Sequence, residues 1–539
     1  MMPRLALPPS RAVLLLLAIA FVLPGLAAHD PWKSVDAVTI EIAHGMLASG
    51  DWLVPRVAGE PWLETPPLYH WLAAASGAAL GGLLPFHNAA RLASGLCMLA
   101  AFWFVYLAAR HSGYRGEDAR QSARGAAACA MLLLAGSVGL IVRAHEAAPE
   151  LAALAATCAG FLFLARAVRR PVAAGVGFGA AVAAALLSTG LTVPFVLLAA
   201  ALAAQLRCAE LRGARALRFL LPALALPALA AAAWYAALGL RSPELAASAW
   251  KELLRARGEF GPALREHLVT ASWYAWPAWP LALWAAWALR REWRTVRVFV
   301  PAVAALAALV AIAWKGTTHD LHATPLLAPL ALLGAQGIAQ LRRGAAAALD
   351  WFGVMTFGFF TALVWLGYLA MTTGWPPRIA RNFAKTAPGF VAQFDALAFA
   401  IAVVLALGWL WIVLFAASSP ARAVVRWAAG VVLLWGTFAM LWMPWADYQK
   451  SYRGVALQLR SLLPAAPGCI SGTGLGLPQR AALSYHAGIR TVAPSPQCRF
   501  HLVQGRPRME TAPGPGWSKI ADVGRPGDKS ERYRLYRRD

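Results

Sequence analysis

The stretch 29–71, HDPWKSVDAVTIEIAHGMLASGDWLVPRVAGEPWLETPPLYHW, decides how the rest of the chain is interpreted. It is the only long segment in the first half of the chain that is both polar and aromatic, and apolar blocks flank it on both sides. It holds six acidic residues and five tryptophans or tyrosines. A connection of this length between apolar elements is usually functional, so we expect it to carry part of a site.

The composition predicts a membrane protein. Of the 539 residues, 60% are hydrophobic and only 14% are charged, and the mean hydropathy is +0.56. Soluble domains carry about 25% charged residues. Much of the net charge of +24 comes from short arginine clusters between apolar runs, a pattern typical of membrane topology and not of a nucleic-acid-binding face. We therefore predict that the chain crosses a lipid bilayer many times and has no nucleic-acid partner.

Thirteen apolar runs are long enough to span a bilayer, which takes roughly 17–25 residues. They are 8–27, 88–108, 125–143, 147–168, 171–188, 190–206, 215–239, 270–289, 296–314, 322–340, 350–372, 393–416 and 424–443. The run 67–84 is rich in Ala and Gly and is predicted to lie as a helix at the interface. The first run also resembles a signal peptide, and we expect it to remain as an uncleaved anchor; cleavage would leave twelve spans.

Every second connection between these runs is rich in arginine, as at Arg166/Arg169/Arg170 and Arg342/Arg343. The positive-inside rule then places the N-terminus in the cytoplasm and, with an odd number of spans, the C-terminus outside. Two of the predicted outer connections are long, and most of the reactive side chains lie on the outer side. Neither ATP nor nucleotide sugars are available outside the cytoplasm, so an energy-carrying substrate would have to arrive in the membrane, and a lipid-linked donor meets that condition.

The last part of the chain has the composition of a soluble domain. We predict a transmembrane domain over 1–445, with a first outer loop over 29–87, and a small α/β domain over 446–539. Its predicted elements are a helix over 452–463 and strands over 469–471, 482–485, 499–503 and 532–536. The run GTGLG at 472–476 lacks the lysine and spacing of a phosphate loop, so a turn is favoured there.

Cys469 and Cys498 are the only cysteines in this C-terminal part. On an oxidising outer side they could form a disulfide that closes a loop of roughly 30 residues and stabilises the domain by about 3–4 kcal/mol. Two free thiols are the alternative.

The first outer loop offers candidate carboxylates. Moving a sugar from a lipid phosphate to a hydroxyl needs a carboxylate near the acceptor oxygen and cations near the leaving phosphate. Asp36 begins an amphipathic helical stretch, where the helix dipole keeps a carboxylate ionised. It is our candidate for the catalytic base, and a helix cap is the alternative.

Two further clusters lie on the predicted outer side. Arg143 and Glu150 flank the ends of two spans, where ionisable residues are functional candidates; an Arg143 that reaches into the headgroups is the alternative. In the run WKGTTHDLH at 314–322, Lys315 could hold a phosphate, or His319 and His322 could bind a metal together with the acid between them. The phosphate is favoured because three metal ligands would be crowded over four residues.

The first loop resembles the lipid-linked sugar transferases of the GT-C class, specifically the bacterial aminoarabinose transferase and protein-O-mannosyltransferase group. That group shows an acidic pair, then a GDW turn, VP, GEP and a KPPLYYW run. The corresponding segments here are Val35-Asp36, Gly50-Asp51-Trp52, Val54-Pro55, Gly59-Glu60-Pro61 and ETPPLYHW at 64–71. The segment 319–333 is similar, less closely, to a second family motif.

The resemblance implies an α-helical polytopic membrane protein of GT-C type with about 13 transmembrane helices and a C-terminal extracytoplasmic α/β domain. It implies a glycosyltransferase of the bacterial inner membrane that moves a sugar from a polyprenyl-phosphate donor to an extracytoplasmic acceptor: lipid A, a glycan or a protein. We expect Asp36 and Glu150 to be catalytic. The expected donor-phosphate or substrate-binding residues are Lys315, Arg56, Arg143, His319, His322, Glu64 and Tyr69. No cofactor is predicted, and a divalent metal is left open.

Several positions depart from the family pattern. Val35 stands where the first acid of the pair belongs, Thr65 replaces the lysine before Pro-Pro, and His322 replaces a tyrosine. Val35 and Thr65 favour an alternative in which the chain is a catalytically impaired relative that serves as a membrane scaffold or partner subunit. Asp36, Glu150 and Lys315 favour the enzyme, which is the preferred interpretation. A transporter is less favoured, because its ionisable residues would lie at mid-span and its halves would repeat.

Overall fold

The computed structural model describes residues 9–32, 34–112, 119–256, 258–316, 319–506 and 513–538. Residues 317–318 of the lysine- and histidine-containing run therefore lie outside the described part. The chain is mainly helical, as predicted, and ends in a small β-sheet.

The α-helices of the first half are α1 Arg11–Val22, α2 Val35–Ser49, α3 Leu68–Leu80, α4 Phe86–Arg110, α5 Ala119–Ala135, α6 Leu140–Arg143, α7 Pro149–Arg166, α8 Pro171–Thr189, α9 Thr192–Arg207, α10 Ala214–Arg241 and α11 Pro243–Leu254. Those of the second half are α12 Phe260–Tyr274, α13 Ala278–Ala288, α14 Val296–Lys315, α15 Leu327–Gly337, α16 Arg343–Thr373, α17 Pro377–Thr386, α18 Ala396–Phe415, α19 Ala421–Leu441, α20 Met443–Lys450, α21 Arg453–Leu462 and α22 Leu477–Ala487. Short 3-10 helices occupy Ala209–Leu211, Arg290–Glu292, Asp320–Leu326 and Ile338–Gln340.

Within the described residues, nine helical segments are long and apolar enough to cross a membrane. They are α4, α7, α8, α10, α14, the continuous segment Asp320–Gln340, α16, α18 and α19. The other four predicted spans correspond to shorter pieces. Helices α1, α5 and α9 have 12, 17 and 16 residues, and the run 270–289 is interrupted between α12 and α13. The interruption falls at Pro277, which has no backbone N–H to donate to a continuous helix. The number thirteen stays a prediction.

Small residues allow the helices to approach closely, as is usual inside membranes. On α8, Gly175 and Gly179 lie four residues apart and face α10. A Cβ at Gly175 would collide with the carbonyl oxygen of Phe219, and one at Gly179 with that of Pro222. This pair of glycines therefore fixes how closely α8 and α10 can pack.

The first outer loop folds against the helices as α2, a hairpin and α3. Ser34 caps α2 by accepting a hydrogen bond from the backbone N–H of Asp36, and Gly50 ends the helix in the left-handed region at φ 70°. The hairpin pairs β1 Arg56–Val57 with β2 Glu60–Pro61. The helix predicted over 67–84 is α3, which packs on α4 and α2.

The C-terminal sheet contains β3 Ile470–Thr473, β4 Thr491–Val492, β5 Phe500–Gly505, β6 Trp517–Val523 and β7 Arg532–Arg538. Their order is β4-β3-β5-β7-β6; β3 is parallel to its two neighbours, and β7 is antiparallel to both of its own. The strand predicted over 482–485 was wrong. These residues lie in α22, whose buried side packs on α2 and α21; a four-residue apolar run does not distinguish a strand from one face of a helix.

The C-terminal part has its own apolar core and also contacts the first loop. Tyr452, Leu459, Phe500 and Tyr533 belong to that core. The structure joins Cys469 to Cys498, with their Cα atoms 4.9 Å apart. The domain boundary near 445 stays a prediction.

Candidate active site

A central cavity of about 370 Å³ lies between the first loop, α7, the end of α14 and the segment that follows it. It brings together five residues that were predicted from sequence: Glu64, Glu150, Lys315, His319 and His322. They come from three separate regions of the chain. Their convergence is the main structural result at this site.

Glu150 is in the first turn of α7, directly after Pro149. Its Oε2 atom is buried and has no hydrogen-bond partner among the described residues. Lys315 and Glu64 are both close enough to interact electrostatically with it. Glu150 also lines the central cavity, where a carboxylate can accept a proton or a hydrogen bond from a substrate.

Lys315 is the last residue of α14, and Gly316 ends that helix in the left-handed region at φ 71°. Beyond it, His319 Nδ1 lies 3.1 Å from Asp320 Oδ1, and the rings of His319 and His322 are 5.8 Å apart. Burial lowers the pKa of His319 below its usual value, although Asp320 opposes this. Among the described residues no group of three or more His, Cys, Asp or Glu side chains is arranged to hold a metal ion.

A second cavity of about 350 Å³ adjoins the central one, and both are lined by Glu64, Thr189, Thr192 and Lys315. The remainder of its lining is largely apolar and includes Phe195, Trp234, Leu253, Val310 and Trp314. The side chains of Glu64 and Lys315 therefore lie where the central cavity borders a second, largely apolar one.

A third cavity of about 410 Å³ is more polar and meets the central one at Ser34. Arg143 lies here and not in the central cavity. Its Nη1 is 2.7 Å from Glu146 Oε2 and its Nε is 3.0 Å from Asp320 Oδ2. Burial raises the pKa of Glu146 above its usual value, although Arg143 opposes the shift. The side chain of Lys450 also lines this cavity, with its amine 4.5 Å from the centre of the Trp32 ring.

Asp36 does not line the central cavity and is fully buried. Its Oδ1 accepts hydrogen bonds from Arg91 Nε at 3.0 Å and from the backbone N–H of Ala147 at 2.7 Å, and its Oδ2 is 2.7 Å from Arg91 Nη2. Burial favours the protonated form, but the guanidinium of Arg91 outweighs it and holds the pKa of Asp36 below its usual range. The geometry gives Asp36 a structural position, while its neighbour Val35, at the place of the missing acid, faces the cavity.

Arg91 was missed by the sequence reasoning. It also donates to the carbonyl oxygens of His29 and Asp30, at 2.8 and 3.1 Å, and so ties the start of the first loop to α4. The available signal was a single arginine inside the apolar run 88–108. Such a residue usually faces the protein interior and has a partner.

Arg56 and Tyr69 line none of the three cavities. Arg56 Nε is 3.7 Å from Asp51 Oδ2, and its Nη1 donates to the carbonyl oxygen of Gly59 at 3.3 Å. Tyr69 is completely buried, and its hydroxyl pairs with that of Ser94. These contacts support the loop and do not reach the cavity.

His70 was also missed, and it lines the central cavity together with Thr65. The Thr65 hydroxyl lies 3.0 Å from His70 Nε2, and His70 Nδ1 is buried with no hydrogen-bond partner in the described ranges. Burial lowers the pKa of His70 to about 3, so the ring is neutral at pH 7. Where the family has a lysine and a tyrosine, this chain has an uncharged hydrogen-bonded pair.

Comparisons with known proteins agree on the kind of fold. No family model matches the chain. The undecaprenyl phosphate-α-4-amino-4-deoxy-L-arabinose arabinosyl transferase 2 of Sodalis glossinidius is 29% identical over 101 residues, or 19% of this chain and 18% of that protein. The corresponding transferase of Pseudomonas savastanoi pv. phaseolicola is 33% identical over 85 residues, or 16% of each. The matched region thus spans less than a fifth of these relatives.

The structural similarity extends over nearly the whole chain. The crystal structure of ArnT from Cupriavidus metallidurans bound to undecaprenyl phosphate matches with a TM-score of 0.69 at 17% identity, covering 97% of this chain and 96% of that one. Its apo structure matches with a TM-score of 0.65 at 18% identity. The predicted resemblance is confirmed, locally in sequence and over almost the full length in fold.

Proposed function

We propose that this chain, which has the fold of an aminoarabinose transferase, is a membrane glycosyltransferase that moves a sugar from a polyprenyl-phosphate donor to an extracytoplasmic acceptor. One observation carries the proposal. Glu64, Glu150 and Lys315 line one cavity, and Glu64 and Lys315 also line a second, largely apolar one. A reacting phosphate and a lipid tail need these two environments side by side.

The proposed roles follow from the geometry. The polyprenyl tail occupies the second cavity, and its phosphate lies near Lys315, which both cavities share. The ammonium of Lys315 stabilises the phosphate as the bond between the anomeric carbon and the phosphate oxygen breaks. Glu150 accepts the proton of the acceptor hydroxyl as its oxygen bonds to the anomeric carbon. We assign the base to Glu150 in place of Asp36, because Asp36 already has Arg91 as its partner outside the cavity.

The acceptor is proposed to enter through the third cavity, which is polar and meets the central one at Ser34. The curated relatives are named for 4-amino-4-deoxy-L-arabinose, so that sugar is the first donor to test. Lipid A, a glycan and a protein are the acceptors to distinguish. The orientation, with the N-terminus in the cytoplasm and the C-terminal domain in the periplasm, is part of the proposal.

One observation favours the alternative, a catalytically impaired scaffold. The side chain that faces the cavity at the position of the missing family acid is Val35, which can neither accept a proton nor bind a cation. Under this alternative the cavity would bind the lipid donor without turnover.

Mass spectrometry of lipids and glycans from cells with and without the gene separates the two functions. The transferase predicts that one defined sugar disappears from one class of acceptor when the gene is deleted, and that it returns with the parent gene and not with Glu150→Gln. An unchanged set of sugars, together with normal binding of polyprenyl phosphate by the purified chain, would instead establish the scaffold.

A further inference from the structure

The connection 374–395 joins two membrane-spanning candidates, α16 and α18, at one end of the bundle. It contains the ten-residue helix α17, with the sequence PRIARNFAKT. Arg378, Arg381 and Lys385 are the charged residues of this helix, and no acid accompanies them. The cavities of the candidate site do not include any of these three residues.

The apolar side of α17 is already docked on the protein. The ring of Phe383 lies 5.1 Å from that of Trp442 and 5.0 Å from that of Trp445. It also lies against Gly367 of α16, where a Cβ would come within 3.0 Å of the ring. The helix therefore has a fixed orientation and presents its other side to the surroundings.

That other side is cationic. Arg378, Arg381 and Lys385 are all exposed, and their spacing of three and four residues places them on one face of a helix. The nearest acid in the connection is Asp395, whose carboxylate caps α18 by accepting hydrogen bonds from the backbone N–H groups of Leu397 and Ala398. The cationic face is thus a positive surface without a local neutralising acid on its own helix.

The neighbouring helix fixes the depth of α17. Helix α18 has 20 residues, and at about 1.5 Å per residue it matches a hydrocarbon core of about 30 Å. Leu397, Val404 and Leu414 on it are exposed in the isolated chain, as lipid-facing side chains are. The start of α18 then marks the edge of the hydrocarbon. Helix α17 lies at this level, because Phe383 lies against Gly367 and the adjacent Tyr368 packs on Phe399 in the first turn of α18.

Exposed aromatic residues flank α17 on both sides. Trp375 is 63% exposed and Phe394 is 65% exposed. Aromatic side chains of this kind are enriched at the membrane–water interface. Cations at headgroup depth between apolar anchors are the arrangement that attracts anionic lipids.

We propose that α17 is a binding surface for anionic phospholipid headgroups, with Arg378, Arg381 and Lys385 contacting the phosphates and Trp375 and Phe394 entering the interface. The surface holds the ends of α16 and α18 at a constant depth in the bilayer. It is independent of the proposed sugar transfer, because it uses different residues on a different face.

The test uses the full chain in phosphatidylcholine vesicles that contain spin-labelled phosphatidylglycerol or spin-labelled phosphatidylcholine. Electron paramagnetic resonance measures the fraction of each lipid that is immobilised at the protein surface. The parent should prefer phosphatidylglycerol. In the triple variant Arg378→Gln, Arg381→Gln and Lys385→Gln, the preference for phosphatidylglycerol over phosphatidylcholine should fall by about tenfold. Each of the three cations contributes to the attraction of anionic lipid.

A matched control removes three exposed cations from the C-terminal domain: Arg499→Gln, Arg506→Gln and Arg537→Gln. It changes the net charge equally and should keep the preference of the parent. The proposal is overturned if the α17 variant retains the preference, or if the control loses it to the same extent. Loss of sugar transfer in the α17 variant with unchanged lipid preference would also overturn it and would assign the helix to an anionic acceptor.

Discussion

Asp36 and Glu150 are both acids in the first turn of a helix, yet the structure places them in opposite situations. Asp36 is enclosed, and both of its oxygens are bonded to Arg91 or to the backbone of Ala147. Glu150 borders a cavity, and in the part of the chain that the structure describes one of its buried oxygens has no hydrogen-bond partner. The comparison teaches that position in a helix does not reveal the role of an acid; the role depends on which groups meet it from elsewhere in the chain.

The largest expected effect is on the stability of the enclosed pair. Asp36→Ala leaves the guanidinium of Arg91 buried without its carboxylate, which costs about 3–5 kcal/mol. We expect a strong fall in the melting temperature of the purified chain and a low yield. The double variant Asp36→Ala with Arg91→Met should recover part of the loss, because no unpaired charge then remains. A double variant no more stable than Asp36→Ala would contradict the assignment of this pair.

The next effect concerns catalysis and should leave stability nearly unchanged. Glu150→Gln keeps the size of the side chain and removes the base, so we expect sugar transfer to fall by about 10²–10⁴-fold. The melting temperature should stay close to that of the parent. The readouts are the transfer rate in proteoliposomes and thermal unfolding of the same preparation; a large fall in both would place Glu150 with Asp36 among the structural acids.

A substitution of Lys315 tests whether the donor phosphate binds at this residue, which lines both the central and the second cavity. Lys315→Ala should weaken binding of polyprenyl phosphate by about 10-fold or more, the order of one charge-assisted contact. Lys315→Arg, which keeps the charge, should bind more tightly than the alanine variant. Titration of the purified chain with polyprenyl phosphate measures both, and equal affinity in the parent and Lys315→Ala would dismiss this role.

A smaller effect arises at the contact between α2 and the C-terminal domain. Glu41 Oε1 accepts hydrogen bonds from Ser484 Oγ at 2.9 Å and from the backbone N–H of Ala58 at 3.1 Å. Burial nevertheless raises the pKa of Glu41 from 4.5 to about 6. A raised pKa means that the folded protein binds the proton more tightly than the unfolded chain. The stabilisation that this group contributes is therefore fully present below pH 4.5. As the pH rises through about 6, the free energy of unfolding falls by about 2 kcal/mol.

The variant Glu41→Gln should flatten this pH dependence, because the amide does not titrate. Melting temperatures of the parent and the variant between pH 4 and 7 measure the difference. Parallel curves for the two proteins would show that Glu41 titrates at its ordinary pKa.

The smallest effect is expected at the exposed edge of the first loop. Arg56 pairs with Asp51 at 3.7 Å and lies outside all three cavities. Arg56→Gln should change the free energy of unfolding by less than about 1 kcal/mol and leave transfer near the rate of the parent. A large loss of activity in this variant would show that Arg56 takes part in donor binding.

Much of the fold was predictable because it follows from local chemistry. Apolar length predicted most of the long helices, and the turn at Gly50-Asp51 predicted the end of α2. The exceptions have local causes too: Pro277 interrupts a predicted span, and 482–485 forms one side of α22.

The candidate site was predictable only in part. Glu64, Glu150 and Lys315 were chosen as reactive groups on one predicted side of the membrane, and they converge in the central cavity. The partner of Asp36 could not be assigned, since Arg91 lies on another helix and only tertiary packing brings them together. His70 gave no signal of its own beyond a replaced tyrosine; its contact with Thr65 appears only in three dimensions.

The central claim is that Glu150, in the cavity shared with Lys315, is the base of a working transferase although Val35 replaces the family acid. The most direct measurement is sugar transfer from undecaprenyl phosphate-linked aminoarabinose in proteoliposomes, for the parent and Glu150→Gln, with donor binding measured in parallel. We predict transfer by the parent, and donor binding without transfer by Glu150→Gln. Donor binding without transfer by the parent, or equal transfer by both proteins, would contradict the account.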